Sequence, residues 1–276
     1  MTIDKKSLIN WVGGKRLLRK TITPLIPTDI VSYLEPFGGG AWILFNKDKW
    51  ADLEVYNDLD GRLVNLFRIV KYHPGALKDE LRYLLGSREI FMQFLNTEGI
   101  TDIQKAARFL FLITRSFGGR GETFGTVKKS SGGASKSQGN ILLKIDAIYT
   151  RLDKVLVENR DFEKFITQYD HEGAFFYCDP PYTYGAGYEV TSTKGFDHER
   201  LREILGKIQG RFLLSYDDSE KIRELYKEYE MIAIERLNGI NNKQSGDRKN
   251  KMFKELLIAN YPIEEKFYEG TDRNKG

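Results

Sequence analysis

V-S-Y-L-E-P-F-G-G-G occupies residues 31–40. Its first half has the β-branched and aromatic content of a strand, placed at 31–35, and it runs directly into Gly38, Gly39 and Gly40. Glycine after a strand lets the chain turn sharply and lets a ligand approach the backbone. The next ten residues, A-W-I-L-F-N-K-D-K-W, have helical spacing, and L-E-V-Y-N-D reads as a second strand ending in polar residues. Strand, turn, helix and strand form the opening of an open α/β sheet.

Downstream the pattern changes and then returns. From Gly61 to about Phe117, apolar residues recur at three- and four-residue spacing, as in G-R-L-V-N-L-F-R-I-V-K-Y-H and D-I-Q-K-A-A-R-F-L-F-L-I-T-R-S-F. Pro74 suits a first helical position, and Ser87 suits an N-cap with Ile90 opening the apolar face. A Gly-, Ser- and Lys-rich loop follows at 118–139. After about Ile141 the alternation resumes: V-L-V-E, A-F-F-Y-C, F-L-L-S-Y, E-M-I-A-I-E-R-L and E-L-L-I-A-N-Y read as strands. The helical segments H-E-R-L-R-E-I-L-G-K-I and S-E-K-I-R-E-L-Y-K-E-Y lie among them. The expected organisation is a mixed α/β domain, 1–60 plus 146–276, interrupted by a mainly helical insert at 61–145.

Composition bounds what such a chain does. It has 276 residues, 41% apolar and 30% charged, an ordinary soluble globular balance. No stretch approaches the roughly 20 apolar residues that span a bilayer, and the first residues lack the apolar core of a signal peptide. One cysteine, Cys178, excludes an internal disulfide framework and suits a reducing cytoplasm. Three scattered histidines, His73, His171 and His198, argue against a metal site. The net charge of +4 is modest. Its distribution is more telling: Arg115, Arg120, Lys128, Lys129, Lys136 and Lys144 share one region whose sole acid is Glu122, and a second basic cluster runs from Lys243 to Lys254. Such patches face either phosphates or solvent.

The glycine turn is not a familiar phosphate cradle. A dinucleotide fingerprint needs a third glycine at position 43, where the chain has Ile43. Gly13-Gly14-Lys15 is followed by Arg16 and lacks the upstream glycine of a P-loop. Asp58 ends the second strand about 20 residues after the turn, where an acid accepts hydrogen bonds from ribose hydroxyls. The competing role for Asp58 is to cap the helix near Gly61. Taken with the glycine turn, the acid favours a cofactor that carries a nucleoside.

Y-C-D-P-P-Y, 177–182, follows an apolar strand and so falls where open α/β sheets bind ligands. Asp179 can accept a hydrogen bond from an amine hydrogen. The carbonyl of Pro180 can accept another, and Tyr182 offers a ring on which a planar base can stack. The two prolines fix the spacing of the acceptors. The arrangement suits a planar aromatic amine such as that of adenine, whose lone pair is delocalised into the ring. Two acceptors draw such a nitrogen toward a pyramidal geometry and free the lone pair for in-line attack on a methyl group.

With W-V-G-G-K (11–15), E-P-F-G-G-G (35–40), Y-N-D (56–58), A-A-R-F-L-F-L (106–112) and D-P-P-Y (179–182) in this order, the chain resembles the Dam-like adenine-specific DNA methyltransferases, including phage and prophage members. The resemblance implies a Rossmann-like methyltransferase sheet of seven strands, S-adenosylmethionine as cofactor with S-adenosylhomocysteine as product, and an insert that recognises double-stranded DNA. It implies that Trp11 and Lys15 help hold the cofactor and that Phe37 and Gly39 border its methionine portion. Asp58 would meet the ribose, and Asp161 and Phe162 the cofactor's adenine. By the same resemblance Asp179 would also lie beside the cofactor and, with Pro180 and Tyr182, would clamp the flipped target base. Tyr188 is a further candidate. A monomer or weak dimer in the cytoplasm of a bacterial or phage-infected cell is expected.

The chain departs from that family where specificity is set. Members that read GATC carry an aromatic-Asn-Gly turn after A-A-R-F-L and an F-N-x-P-F-G-like hairpin. Here the turn is Phe117-Gly118-Gly119-Arg120, followed by a segment with lysines and without that asparagine and proline. Arg115, Arg120, Lys128 and Lys129 are the expected DNA contacts, suited to phosphates. The competing readings are a methyltransferase of RNA bases or of protein glutamine amides, and a DNA-binding protein without catalysis.

Overall fold

The computed structural model describes residues 7–11, 13–126, 137–183, 195–237 and 252–264. Among these, seven strands form one mixed sheet in the order β3-β2-β1-β4-β5-β7-β6. They are β1 (Ser32–Glu35), β2 (Leu53–Asn57), β3 (Val155–Glu158), β4 (Ala174–Cys178), β5 (Arg211–Asp217), β6 (Glu230–Leu237) and β7 (Met252–Ala259). β4 lies parallel to β1, with Leu34 opposite Phe176, and parallel to β5, with Cys178 opposite Leu214. β7 runs antiparallel between β5 and β6. β4 is buried along its whole length, which is why A-F-F-Y-C reads as a continuous apolar run rather than an alternating one. The expected α/β sheet and its strands are therefore present.

The chain divides into two compact units. Met1–Arg16, Gly39–Lys49 and Val55–Asn159 form one; Leu17–Gly38, Trp50–Glu54 and Arg160–Gly276 form the other. The first unit contains the helical stretch: α2 (Gly61–Tyr72), α3 (Pro74–Arg82), α4 (Arg88–Asn96), α5 (Asp102–Arg115) and α6 (Gln138–Arg151). The second contains the short α1 (Arg19–Ile22) and α7 (Phe162–Tyr169), α8 (His198–Leu205) and α9 (Glu220–Leu225). α5 is the centre of the first unit, packing against α2, α3 and α4, and it is buried at Ala106, Phe109, Leu110, Phe111 and Ile113.

Local chemistry explains where these helices start. Asp60 caps α2 by accepting from the Arg62 N–H. Pro74 opens α3, and the Ser87 hydroxyl accepts from the N–H groups of Glu89 and Ile90 at the start of α4. Thr101 and Gln104 form a reciprocal capping box on α5. α6 runs unbroken from Gln138 to Arg151, through the insert boundary expected at 145.

Residues 41–50 correct the sequence expectation. They form only a short 3-10 turn, Leu44–Asn46, and not an α-helix. Ala41 enters with φ of 53°, outside the helical region. The carbonyls of Leu44 and Lys47 accept from the guanidinium of Arg151, at 3.0 and 2.8 Å, instead of from a continuing helix. No helix among the described residues is long and apolar enough to cross a membrane.

Candidate active site

In the second unit, β1 and β4 are parallel neighbours, so the turn after Glu35 and the segment after Cys178 leave the sheet at the same edge. β2 lies on the other side of β1, so the strand order reverses direction here, the position at which open α/β sheets bind ligands. Asp179 and Tyr182 are half-buried and Pro180 is buried. The Tyr182 hydroxyl donates to Glu255 Oε2 at 3.0 Å, and its ring lies 5.9 Å from that of Tyr216. Burial first, then the charges of Asp179 and Glu255, hold the Tyr182 phenol well above its ordinary pKa, so it remains a donor. Thr183 is held by Asp217: its N–H donates to Oδ1 at 2.7 Å and its hydroxyl to Oδ2 at 2.5 Å.

The same unit gathers Phe37, Phe162 and Phe196 into one aromatic group, with ring centroids 5.4 to 5.7 Å apart. Asp161 caps α7 by accepting from the Glu163 N–H, and it pairs with Arg200 at 2.5 Å. Arg200 also pairs with Glu163 and lies 4.7 Å over the Phe162 ring. Asp161 and Phe162 thus share one cation, which the sequence reading did not single out.

In the first unit, Asp58 does not cap α2; Asp60 does. Asp58 instead braces the glycine turn. Its Oδ2 accepts from the Gly39 N–H at 2.8 Å and its Oδ1 from the Asp60 N–H at 2.8 Å. The Tyr56 hydroxyl donates to the Gly39 carbonyl at 2.9 Å. Gly39 has φ of +48°, and a Cβ there would lie 3.0 Å from the Trp11 ring, so both backbone and space require glycine. Burial pushes the Asp58 carboxyl up to about 6, against the lowering effect of its backbone hydrogen bonds. Trp11 packs 5.9 Å from Phe109 on α5. Lys15 is 4% exposed and donates to the Gly13 carbonyl at 3.0 Å. Trp11, Lys15, Gly39 and Asp58 therefore belong to one unit, and Phe37, Asp161, Phe162, Asp179, Pro180 and Tyr182 to the other.

The expected DNA contacts need one correction. Arg115 is 3% exposed, donates to Gln138 Oε1 at 2.6 Å and lies 5.8 Å over Phe111. Burial lowers its pKa, and its guanidinium joins α5 to α6 rather than facing phosphates. Arg120 is exposed, on a turn whose Gly118, Gly119 and Gly121 all have positive φ. Lys128, Lys129 and Tyr188 lie outside the described residues, as does most of the 243–254 cluster.

Comparison with known proteins decides the class. The description "D12 class N6 adenine-specific DNA methyltransferase" matches residues 11–240. The chain belongs to this family. It is a site-specific DNA adenine methyltransferase, and DNA is its substrate class. Type II methyltransferase M1.LlaDCHI of Lactococcus lactis subsp. cremoris is 25% identical, over 94% of this chain and 96% of its own length. Type II methyltransferase M.CviBI of Paramecium bursaria Chlorella virus NC1A is 24% identical, over 93% of this chain and all of its own length. Modification methylase StsI of Streptococcus sanguinis is 26% identical over 93% of this chain, which covers 43% of that protein. The resemblance read from D-P-P-Y and the glycine turn is therefore upheld, and the RNA, protein-amide and non-catalytic alternatives lose their support.

The sequence reading missed Glu255, Asp217 and Arg200. Glu255 carried a signal: it is an acid at the head of the apolar run E-L-L-I-A, where burial of a charge requires partners.

Proposed function

We propose that this adenine methyltransferase uses S-adenosylmethionine as its methyl donor and that Asp179, Pro180 and Tyr182 hold the target amine. The observation that carries the reading is the D-P-P-Y segment at the end of β4, beside the β1 strand end, with its tyrosine hydroxyl anchored on Glu255. The residues present suit a nucleoside without phosphates. The Asp58 carboxyl accepts backbone N–H groups, from Gly39 on Oδ2 and Asp60 on Oδ1, and its remaining acceptor capacity suits a ribose hydroxyl. The chain has no P-loop lysine, and Phe37 and Phe162 offer apolar surface. Trp11, Lys15, Gly39 and Asp161 complete the proposed cofactor set. When bound, the cofactor supplies an electrophilic methyl group on a sulfonium.

The protein's own residues do the rest. Asp179 and the Pro180 carbonyl accept from the two amine hydrogens of the flipped adenine and localise its lone pair. Tyr182 fixes the plane of the base. Placement of the amine, rather than proton abstraction before attack, carries most of the acceleration. The helical stretch 61–145 acts as the target-recognition domain, with Arg120, Lys128 and Lys129 as non-reading phosphate contacts. The names of the relatives favour a modification role, and the proposal places it in the cytoplasm of a bacterial or phage-infected cell, carried out by a monomer or weak dimer.

The test incubates the protein with methyl-labelled S-adenosylmethionine and unmethylated genomic DNA and maps modified adenines by single-molecule sequencing. Label within one short motif supports the reading and gives the specificity. Cofactor binding with no label in DNA defeats it.

A further inference from the structure

Asp217 and Glu255 stand directly opposite each other in the antiparallel β5–β7 ladder. Residues so placed project from the same face of the sheet, and two like charges there destabilise the pair. Glu255 is 1% exposed, so water does not relieve the cost. Hydrogen bonds to a common segment offset it. Glu255 accepts from the Tyr182 hydroxyl, and Asp217 accepts from both the N–H and the hydroxyl of Thr183. Two acids on neighbouring strands thus grip two consecutive residues at the exit of the D-P-P-Y turn. All four residues lie in one compact unit.

We propose that Glu255 is a positioning residue for methyl transfer, fixing the Tyr182 ring through its hydroxyl while Asp217 pins the residue that follows. The inference rests on the reading of Asp179–Tyr182 as the clamp for the target amine. Two prolines set the chain direction into the clamp, but nothing covalent sets the rotation of the tyrosine ring. The carboxylate at 3.0 Å supplies that constraint. It acts on the ring and not on the base, so it matters to the rate of transfer and not to the grip on cofactor or DNA.

The experiment is a double-mutant cycle on the full chain, using Tyr182→Phe and Glu255→Ala, with single-turnover transfer to unmethylated genomic DNA. Glu255→Ala is expected to slow transfer by about 10- to 100-fold, with S-adenosylhomocysteine and DNA dissociation constants within about twofold of the parent. Glu255→Gln, which keeps an acceptor oxygen for the phenol, recovers most of the rate. In the Tyr182→Phe background, Glu255→Ala has no further effect. Glu255→Met, similar in length and without the acceptor, replaces Glu255→Ala if the latter does not fold. Equal losses from removing the Glu255 acceptor in both backgrounds, or an unchanged rate in the wild-type background, overturn the proposal. Asp179→Ala run in parallel separates the failures. If it is inactive while the cycle is additive, only the positioning role falls; if it remains active, the clamp reading itself falls.

Discussion

If Asp58 holds the cofactor ribose as proposed, its carboxyl should make cofactor affinity a function of pH. Burial raises it to about 6 in the folded chain, from an ordinary value of 3.8. Folding therefore favours the protonated acid. That contribution to stability is fully present below about pH 4 and is lost as the pH rises through about 6, amounting to about 3 kcal/mol in total. A ribose diol donates hydrogen bonds and so selects the carboxylate. If only the ionised form binds, its population rises from about one part in eleven at pH 5 to about ten parts in eleven at pH 7, and affinity for S-adenosylhomocysteine rises about tenfold. Calorimetry at pH 5.5 in two buffers of different ionisation enthalpy should record release of about 0.8 proton on binding, falling to near zero at pH 8. Asp58→Asn is the control. Its single carbonyl oxygen can accept from the Gly39 or the Asp60 N–H but not from both, so one donor is left facing the amide NH2. That should cost about 1–3 kcal/mol and flatten the pH dependence. Affinity that is level from pH 5 to pH 7, with no proton release, refutes the assignment of Asp58 to the ribose.

Asp179→Ala should abolish methyl transfer while leaving the gel shift with DNA nearly intact; near-normal turnover counts against the mechanism. Gly119→Ala should be destabilising by more than about 2 kcal/mol, because φ is +76° and the new Cβ would lie 2.1 Å from the Asn10 carbonyl oxygen; thermal denaturation reads this. Thr101→Ala removes half of the α5 capping box and should cost about 1 kcal/mol in urea unfolding. Cys178 is fully buried and its thiol pKa is driven far upward, chiefly by burial, so iodoacetamide should label it only after denaturation; labelling of the native protein at pH 8 contradicts the packing of β4.

What could be read from the sequence was what is encoded locally. The Ser87 cap, the Pro74 helix start and the strand ending at Cys178 each depend on neighbours within a few residues, and all are as expected. The glycine turn was legible as a run of glycines after a strand, but its bond to Asp58, 19 residues on, was not read, because Asp58 was assigned to a ribose instead. Residues 41–50 were misread because their periodicity is helical while the competitor for their carbonyls, Arg151, lies more than 100 residues away. Arg115 was misread because charge does not reveal burial: α5 turns it inward, onto Gln138. Glu255 was missed because its partner is 73 residues distant, on a strand whose register no local pattern fixes.

The place of β7 also has a consequence for the order in which the protein is made. Among the described residues it is the last strand in sequence, yet it lies inside the sheet, between β5 and β6. While the ribosome is still translating residues before 252, β5 presents a bare edge and β6 has no neighbour at all. Such edges attract other strands. The acid that anchors Tyr182 arrives with this same strand. The nascent chain therefore gains its sheet closure and its tyrosine anchor in a single late event, and a product truncated ahead of Met252 should be both inactive and prone to aggregate.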